Sequence, residues 1–320
     1  MNESSEASSS KASIEEVKWT DDSIRWEGGL HVKAADNDGD KDESDDEDYV
    51  VDPFKDPDPF EMFSFQFERP NANNTNNDDD NNNNNNNNKP ININIRGYKT
   101  DADEVWQSTG LTLWRASDYL CHYQMENVQL FQNKRILELG AGLGLNGILA
   151  WRSTVGSGSG SEVCITDGDS DALVHLRENV ERNRTASSTT TEKNDEGDCD
   201  DDVGKVSCHQ LIWGKQSSEH FLTQIANNQK YDVLIASDII YSAVIVEPLW
   251  ETVLTLLKRP SDGEEGGVFV MAYARRKVPV SIELVLETAI ANGFVYELVK
   301  EDDEEGIWVY TFRYNEGGAE

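Results

Sequence analysis

The chain has 320 residues, enough for one large domain or two small ones with a usable core. A formal net charge of -33, from 61 acidic residues against 28 Lys and Arg, argues against nucleic acid as a main partner, because phosphate binding needs clustered cations; it fits a basic protein surface better, and the plainer reading is that the acid runs keep disordered tails soluble. No apolar run reaches the ~20 residues of a membrane span, and the four cysteines, Cys121, Cys164, Cys199 and Cys208, form no C-x-x-C pair and no zinc spacing, which points to reduced thiols and no metal site.

Met-Asn-Glu-Ser-Ser at the start is no basic, apolar leader, and a cytoplasmic protein, possible also in the nucleus, is expected. The mean hydropathy of -0.64 is low because polar residues concentrate in two places. Residues 1–57 are Ser-rich and then acidic around Asp45-Asp46-Glu47-Asp48, the composition of a disordered tail. Residues 58–96 hold two alternating stretches, Phe60 to Phe67 and Ile91 to Arg96, which predict a β-hairpin. An Asn/Asp tract over 70–89 expands its turn and cannot build a core.

From residue 97 to 315 the order becomes regular. Residues 111–125 have helical spacing, and 134–139 read as a strand that runs through a glycine-rich turn into a helix ending near Trp151. A strand over 163–166 and a helix over 170–183 follow, then a polar, acidic insertion over 184–204 that reads as disordered. Strands over 205–212, 231–236 and 267–272 alternate with helices over 246–257 and 280–292, and two strands, 294–299 and 308–314, close the chain. Strands alternating with helices predict a mostly parallel α/β sheet, and the final pair an antiparallel edge.

The most informative run is Ile136-Leu137-Glu138-Leu139-Gly140-Ala141-Gly142-Leu143-Gly144-Leu145-Asn146-Gly147. Gly142-x-Gly144-x-x-Gly147 fits a dinucleotide turn. Gly140-x-Gly142-x-Gly144, with Glu138 two residues earlier, fits the turn that binds S-adenosylmethionine, whose sulfonium and ammonium favour an acid where a pyrophosphate would not. The plainer alternative is a tight strand-to-helix turn with no ligand. Asp167, at the end of the next strand, suits ribose hydroxyls under either cofactor, and Asp169 suits the helix cap. Asp238, after the apolar run Val233-Leu234-Ile235-Ala236, stands where a parallel sheet places ligands; its alternative is a helix cap.

In order along the chain, Thr109-Gly110-Leu111-Thr112-Leu113-Trp114-Arg115-Ala116-Ser117, the glycine turn, Glu178-Asn179-Val180-Glu181-Arg182-Asn183, Leu211-Ile212-Trp213-Gly214 and Ala236-Ser237-Asp238-Ile239-Ile240-Tyr241 resemble segments of the family 16 protein methyltransferases. These are mostly lysine-directed enzymes that include those acting on calmodulin and elongation factors. The resemblance implies a Rossmann-like class I methyltransferase fold behind a small β-hairpin. It implies S-adenosylmethionine as cofactor and a lysine-bearing protein as substrate; a monomer is the expected working unit for a domain of this size. Under it Trp114 lines the cofactor pocket; Glu138, Gly140 and Gly142 hold the methionine part; Asp167 holds the ribose; Trp213 packs near adenine; Gly144 and Ser237 are further cofactor contacts. Asp238 captures the acceptor amine, and Tyr241 lies beside it. By residue type alone, Tyr241 and Tyr273 are candidates for an aromatic wall around a methylated ammonium, with ordinary core packing the plainer reading of Tyr273. Ile212 departs from the family, where many relatives carry Asp, which puts any polar role there in doubt. Histidine, arginine or a small molecule as acceptor, a non-catalytic cofactor-binding scaffold and a nicotinamide-dependent oxidoreductase remain the alternatives.

Overall fold

The computed structural model describes residues 59–69, 89–98, 109–154, 161–185, 205–261, 265–276 and 278–315. The expected disorder of the acidic tail, the Asn tract and the insertion falls outside them, apart from the insertion's first two residues and the tract's last.

β1 (Phe60–Phe67) and β2 (Ile91–Tyr98) pair antiparallel, with Phe67 opposite Ile91 and Phe60 opposite Tyr98, as the alternation predicts. A lone two-stranded ribbon is marginal in water. This one buries Phe63, Phe65, Phe67, Ile91, Ile93 and Ile95 in the main core, so it is a layer of the domain that follows and shares its hydrophobic interior.

The central sheet has seven strands: β3 (Arg135–Leu139), β4 (Glu162–Asp167), β5 (Lys205–Gln210), β6 (Val233–Ser237), β7 (Val268–Ala274), β8 (Phe294–Asp302) and β9 (Ile307–Tyr314). Their order is β5-β4-β3-β6-β7-β9-β8. The first five are mutually parallel, and β9 runs against both of its neighbours. The chain turns back on itself between β3 and β6, and the C-terminal ends of such a pair open a crevice where ligands bind.

Strand alternation divides two cores. Ile136, Val163, Ile165, Val233, Ile235 and Val270 face the layer of α1 (Arg115–Glu126), α2 (Leu145–Thr154) and α3 (Ser170–Thr185) with the hairpin. Leu137, Leu139, Leu234, Ala236, Phe269 and Met271 face α4 (Lys215–Gln224), α5 (Val246–Leu256) and α6 (Ile282–Ala291). Trp250 anchors the second core, fully buried among Phe269, Phe294 and Phe312, with its Nε1–H donating to the Val285 carbonyl at 3.2 Å. The sequence reading had no counterpart for α4. Observed bounds otherwise differ from the expected ones by a few residues; β5 ends at Gln210 and α1 starts at Arg115, after a 3-10 turn at Thr109–Leu111.

Two buried asparagines one helical turn apart dock the hairpin. Asn94 N–H donates to Asn183 Oδ1 at 2.9 Å, and Asn183 Nδ2–H donates to the Asn94 carbonyl at 2.8 Å. Asn179 repeats the exchange with Arg96, at 2.8 and 3.1 Å. Each amide presents one acceptor and one donor, as a neighbouring strand would, so α3 satisfies the outer edge of β2. Both side chains are fully buried. Replacing Asn183 with Ala should strand the Asn94 N–H and carbonyl and cost about 2 kcal/mol. Asn183→Asp should cost nearly as much, since a carboxylate cannot donate to the Asn94 carbonyl. Urea unfolding of the three proteins checks this; an Asp variant as stable as wild type would contradict it.

Candidate active site

The glycine turn sits at the switch point and has positive φ at Gly140, Gly142 and Gly144. A Cβ on Gly140 would stand 2.9 Å from Ile239 Cγ2 and 3.1 Å from Trp213 Cζ2, and one on Gly142 3.0 Å from the Gly110 carbonyl oxygen. Both close approaches floor a cavity of about 370 Å³ at the C-terminal ends of β3, β4 and β6. A Cβ on Gly144 would instead collide with Leu176, so this third glycine serves the packing of the turn on α3 and does not line the cavity.

Three amide hydrogens of the turn are already taken. Ala141 N–H donates to the Thr166 carbonyl at 2.9 Å, Gly142 N–H to Asp167 Oδ2 at 2.7 Å and Gly144 N–H to the Ala141 carbonyl at 2.9 Å. A pyrophosphate would need those donors free and would face the Asp167 carboxylate. The geometry disfavours a dinucleotide and suits a ligand with positive charge. Asp167 Oδ1 also accepts from Asp169 N–H at 2.9 Å, and burial, ahead of its other influences, raises the Asp167 carboxyl above its ordinary range. Asp169 caps α3 by accepting from Asp171 N–H at 2.9 Å.

Glu138 is not in the cavity. Strand alternation puts it on the same face as Ile136, under α2, where its Oε2 accepts from Gly147 N–H at 2.8 Å. Its expected contact with the methionine part therefore needs correction: the carboxyl group grips the turn from behind. Burial pushes Glu138 up to about 8, with the Gly147 N–H opposing and Asp167 adding to the rise.

The other expected residues come together around the cavity: Trp114, Asp167, Trp213, Ser237, Asp238 and Tyr241. Trp114 is fixed by its Nε1–H donating to the Thr109 carbonyl at 2.8 Å. Trp213 packs against the core of α5 and shows an edge to Gly140. Ser237 Oγ donates to Asn146 Oδ1 at 2.8 Å and meets Ser117 Oγ at 2.8 Å, a network the sequence reading did not identify. Thr112, also in the lining, has a buried hydroxyl oxygen with no partner among the described residues, a polar atom left for a ligand. Tyr241 is 49% exposed at the mouth; burial raises its phenol first, and the carboxylate that adds to this is Asp167. Tyr273 packs on Trp308 at 6.1 Å and lies outside the lining, so it is a core residue. Ile212 is 62% exposed along the cavity wall.

Asp238 does not cap the helix that follows it. It holds a left-handed backbone at φ 59°, which Asp tolerates better than most residues, and anchors it by N–H donation to the Ala272 carbonyl at 2.9 Å. Its Oδ2 accepts from Ala116 N–H at 3.3 Å and its Oδ1 from Ala274 N–H at 3.2 Å. Arg276 then forms an ion pair with Oδ1 and donates to the Asp238 carbonyl at 3.0 Å. The expectation that this carboxylate captures a substrate amine thus meets an arginine already in place. Arg276 was missed; its sequence signal was Arg275-Arg276-Lys277, the one run of three basic residues in the chain, directly after β7. Among the described residues no cluster of His, Cys, Asp or Glu fits a metal ion, and no helix is long and apolar enough to cross a membrane.

Because Glu138 keeps its proton in the folded chain up to about pH 8 but loses it near 4.5 when unfolded, stability should fall as pH rises through that window. Glu138→Gln keeps the neutral shape and the acceptor for Gly147. It should match wild type near pH 4.5 and exceed it at pH 8 by about 2 to 4 kcal/mol in denaturant unfolding. A gap that does not grow with pH would contradict a protonated Glu138.

A profile described as lysine methyltransferase matches residues 99–282, more than half of the chain. The chain is 27% identical to a calmodulin-lysine N-methyltransferase of Arabidopsis thaliana over 49% of its own length and 44% of the relative's. It is 33% identical to a protein N-terminal and lysine N-methyltransferase of Cryptococcus neoformans, over 60% and 63%. It is 35% identical to a protein N-lysine methyltransferase of Xenopus tropicalis, over 49% and 60%. Each match spans less than two thirds of the relative. With the glycine turn, the sheet order and the cavity at the switch point in place, the chain belongs to the lysine methyltransferase family.

Proposed function

We propose that this protein transfers a methyl group from S-adenosylmethionine to the side-chain amine of a lysine on a protein substrate. The observation that carries the cofactor reading is the glycine turn, with the N–H groups of Ala141, Gly142 and Gly144 spent internally beside Asp167, a cradle better suited to a cationic ligand than to phosphates. Asp167 offers its remaining lone pairs to ribose hydroxyls, and Trp213 with Leu211 and Ile212 offers an apolar wall to adenine. The unpartnered Thr112 hydroxyl and the Ser237–Asn146 pair suit the polar methionine end. Bound there, the cofactor supplies an electrophilic methyl on a positively charged sulfur.

The rest is positioning. The acceptor nitrogen must arrive with its lone pair free and in line, and holding two reactants in such a geometry is worth several orders of magnitude in rate. Free lysine has a pKa of ~10.4, so about one side chain in a thousand is unprotonated near neutrality. Asp238 is engaged by Arg276, so the proton leaves to water. Tyr241, at the mouth, flanks the acceptor. The lysine-directed names of the relatives support lysine as the acceptor, and the name of the Cryptococcus relative favours a free N-terminal amine as a second one. Monomeric action in the cytoplasm or nucleus belongs to the same proposal.

Incubation with methyl-labelled S-adenosylmethionine and a lysate, followed by mass spectrometry, should place label on one lysine of one protein. Label on a histidine, an arginine or a small molecule would contradict it. Gly142→Val, which adds bulk 3.0 Å from the Gly110 carbonyl at a φ of 54°, should abolish cofactor binding in calorimetry while the melting transition persists.

A further inference from the structure

The acceptor end of the cavity holds two features that normally grip an ammonium ion: a carboxylate, Asp238, and an aromatic face, Trp114. Both are filled by the chain's own cation. The Arg276 guanidinium is paired with Asp238 Oδ1 and lies 4.2 Å over the Trp114 ring. The pair is well sheltered, with the Asp238 side chain 2% exposed and that of Arg276 18%. Neighbouring cations turn elsewhere: Arg275 stacks over Trp308, and Arg115 pairs with Glu305. Arg276 is the one basic residue among the described lining, which also carries Asp167, Asp169 and Asp238.

Charge decides what this arrangement can receive. A bare carboxylate beside the acceptor would hold a lysine as its ammonium, which has no lone pair to alkylate. It would also hold the sulfonium tightly in the ground state, and ground-state attraction that does not grow in the transition state gives no rate. A guanidinium locked onto the carboxylate cancels both effects and leaves the acceptor end without net charge. We infer that Arg276 is a positioning residue that sets the charge of the acceptor end: it neutralises Asp238, so that this end admits a neutral amine and does not capture a cation. This rests on the S-adenosylmethionine reading above, and it replaces direct capture of the amine by Asp238.

The test needs no protein substrate. S-adenosylmethionine and S-adenosylhomocysteine differ in the methyl group and in the sulfonium charge, so the ratio of their affinities reports the field at the sulfur. The ratio also cancels any loss of folded protein common to both titrations. By calorimetry, Arg276→Gln should unmask Asp238 and raise the preference for the sulfonium ligand about tenfold. Asp238→Asn, leaving Arg276 unmatched, should shift the ratio in the opposite direction. Arg276→Lys should hold it near wild type, and the double variant Arg276→Gln with Asp238→Asn should restore it. A residue that only supports the fold would move both affinities together. Binding of both ligands by wild type with an unchanged ratio in Arg276→Gln and Asp238→Asn would overturn the assignment. If wild type binds neither ligand, the cofactor reading itself fails, and this inference with it.

Discussion

Three side chains from three elements hold the backbone of the glycine turn. Glu138, on the strand before it, takes Gly147 N–H; Asp167, on the adjacent strand, takes Gly142 N–H; Asn179, on α3, donates to the Leu143 carbonyl at 3.2 Å. A turn with three left-handed glycines carries a high entropy cost in the folded state, and such a segment keeps one shape only when its surroundings over-determine it. These grips do so. Two of them also bear on what the turn can bind, because the bonds to Asp167 and Glu138 consume the Gly142 and Gly147 amide donors, which a phosphate would otherwise find free.

The constraint spreads outward from there. Asn179 bridges the turn to β2 and, with Asn183, fastens the hairpin to α3, so the hairpin is tied to the cavity floor through one side chain. Glu138 supports the turn at the cost of a fully buried carboxyl group, which the local burial keeps protonated rather than charged. On the far side of the cavity Asp238 does similar work for the ends of β7 and α1, and it too is met by donors from every direction. Negative groups around this cavity are fastened to backbone, and the cavity's shape depends on them before any ligand does.

Much of this was legible in the sequence. Strand-to-helix alternation, the antiparallel close and the hairpin follow from periodicities that survive single-sequence reading. The direction of Glu138 was legible in principle, since period two sets it with Ile136 and away from the strand's end; a motif read as a linear string hides that. Helix α4 was not, because Lys-Gln-Ser-Ser-Glu-His-Phe-Leu-Thr-Gln buries only Ser218 and Phe221 and shows almost no apolar stripe. Arg276 lies 38 positions from Asp238, and nothing in spacing announces a partner across two strands. The same holds for Asn179 and Asn183, whose motif was visible while their partners, 83 and 89 positions upstream, were not.

The claim on which the rest hangs is that the glycine turn cradles a cationic nucleoside cofactor and not a dinucleotide. Calorimetric titration of the intact protein with S-adenosylmethionine and, separately, with oxidised and reduced nicotinamide dinucleotides addresses it without any assumption about substrate. Saturable one-to-one binding of S-adenosylmethionine with no heat from the dinucleotides is the expected result. Saturable dinucleotide binding, with none of S-adenosylmethionine, would contradict it.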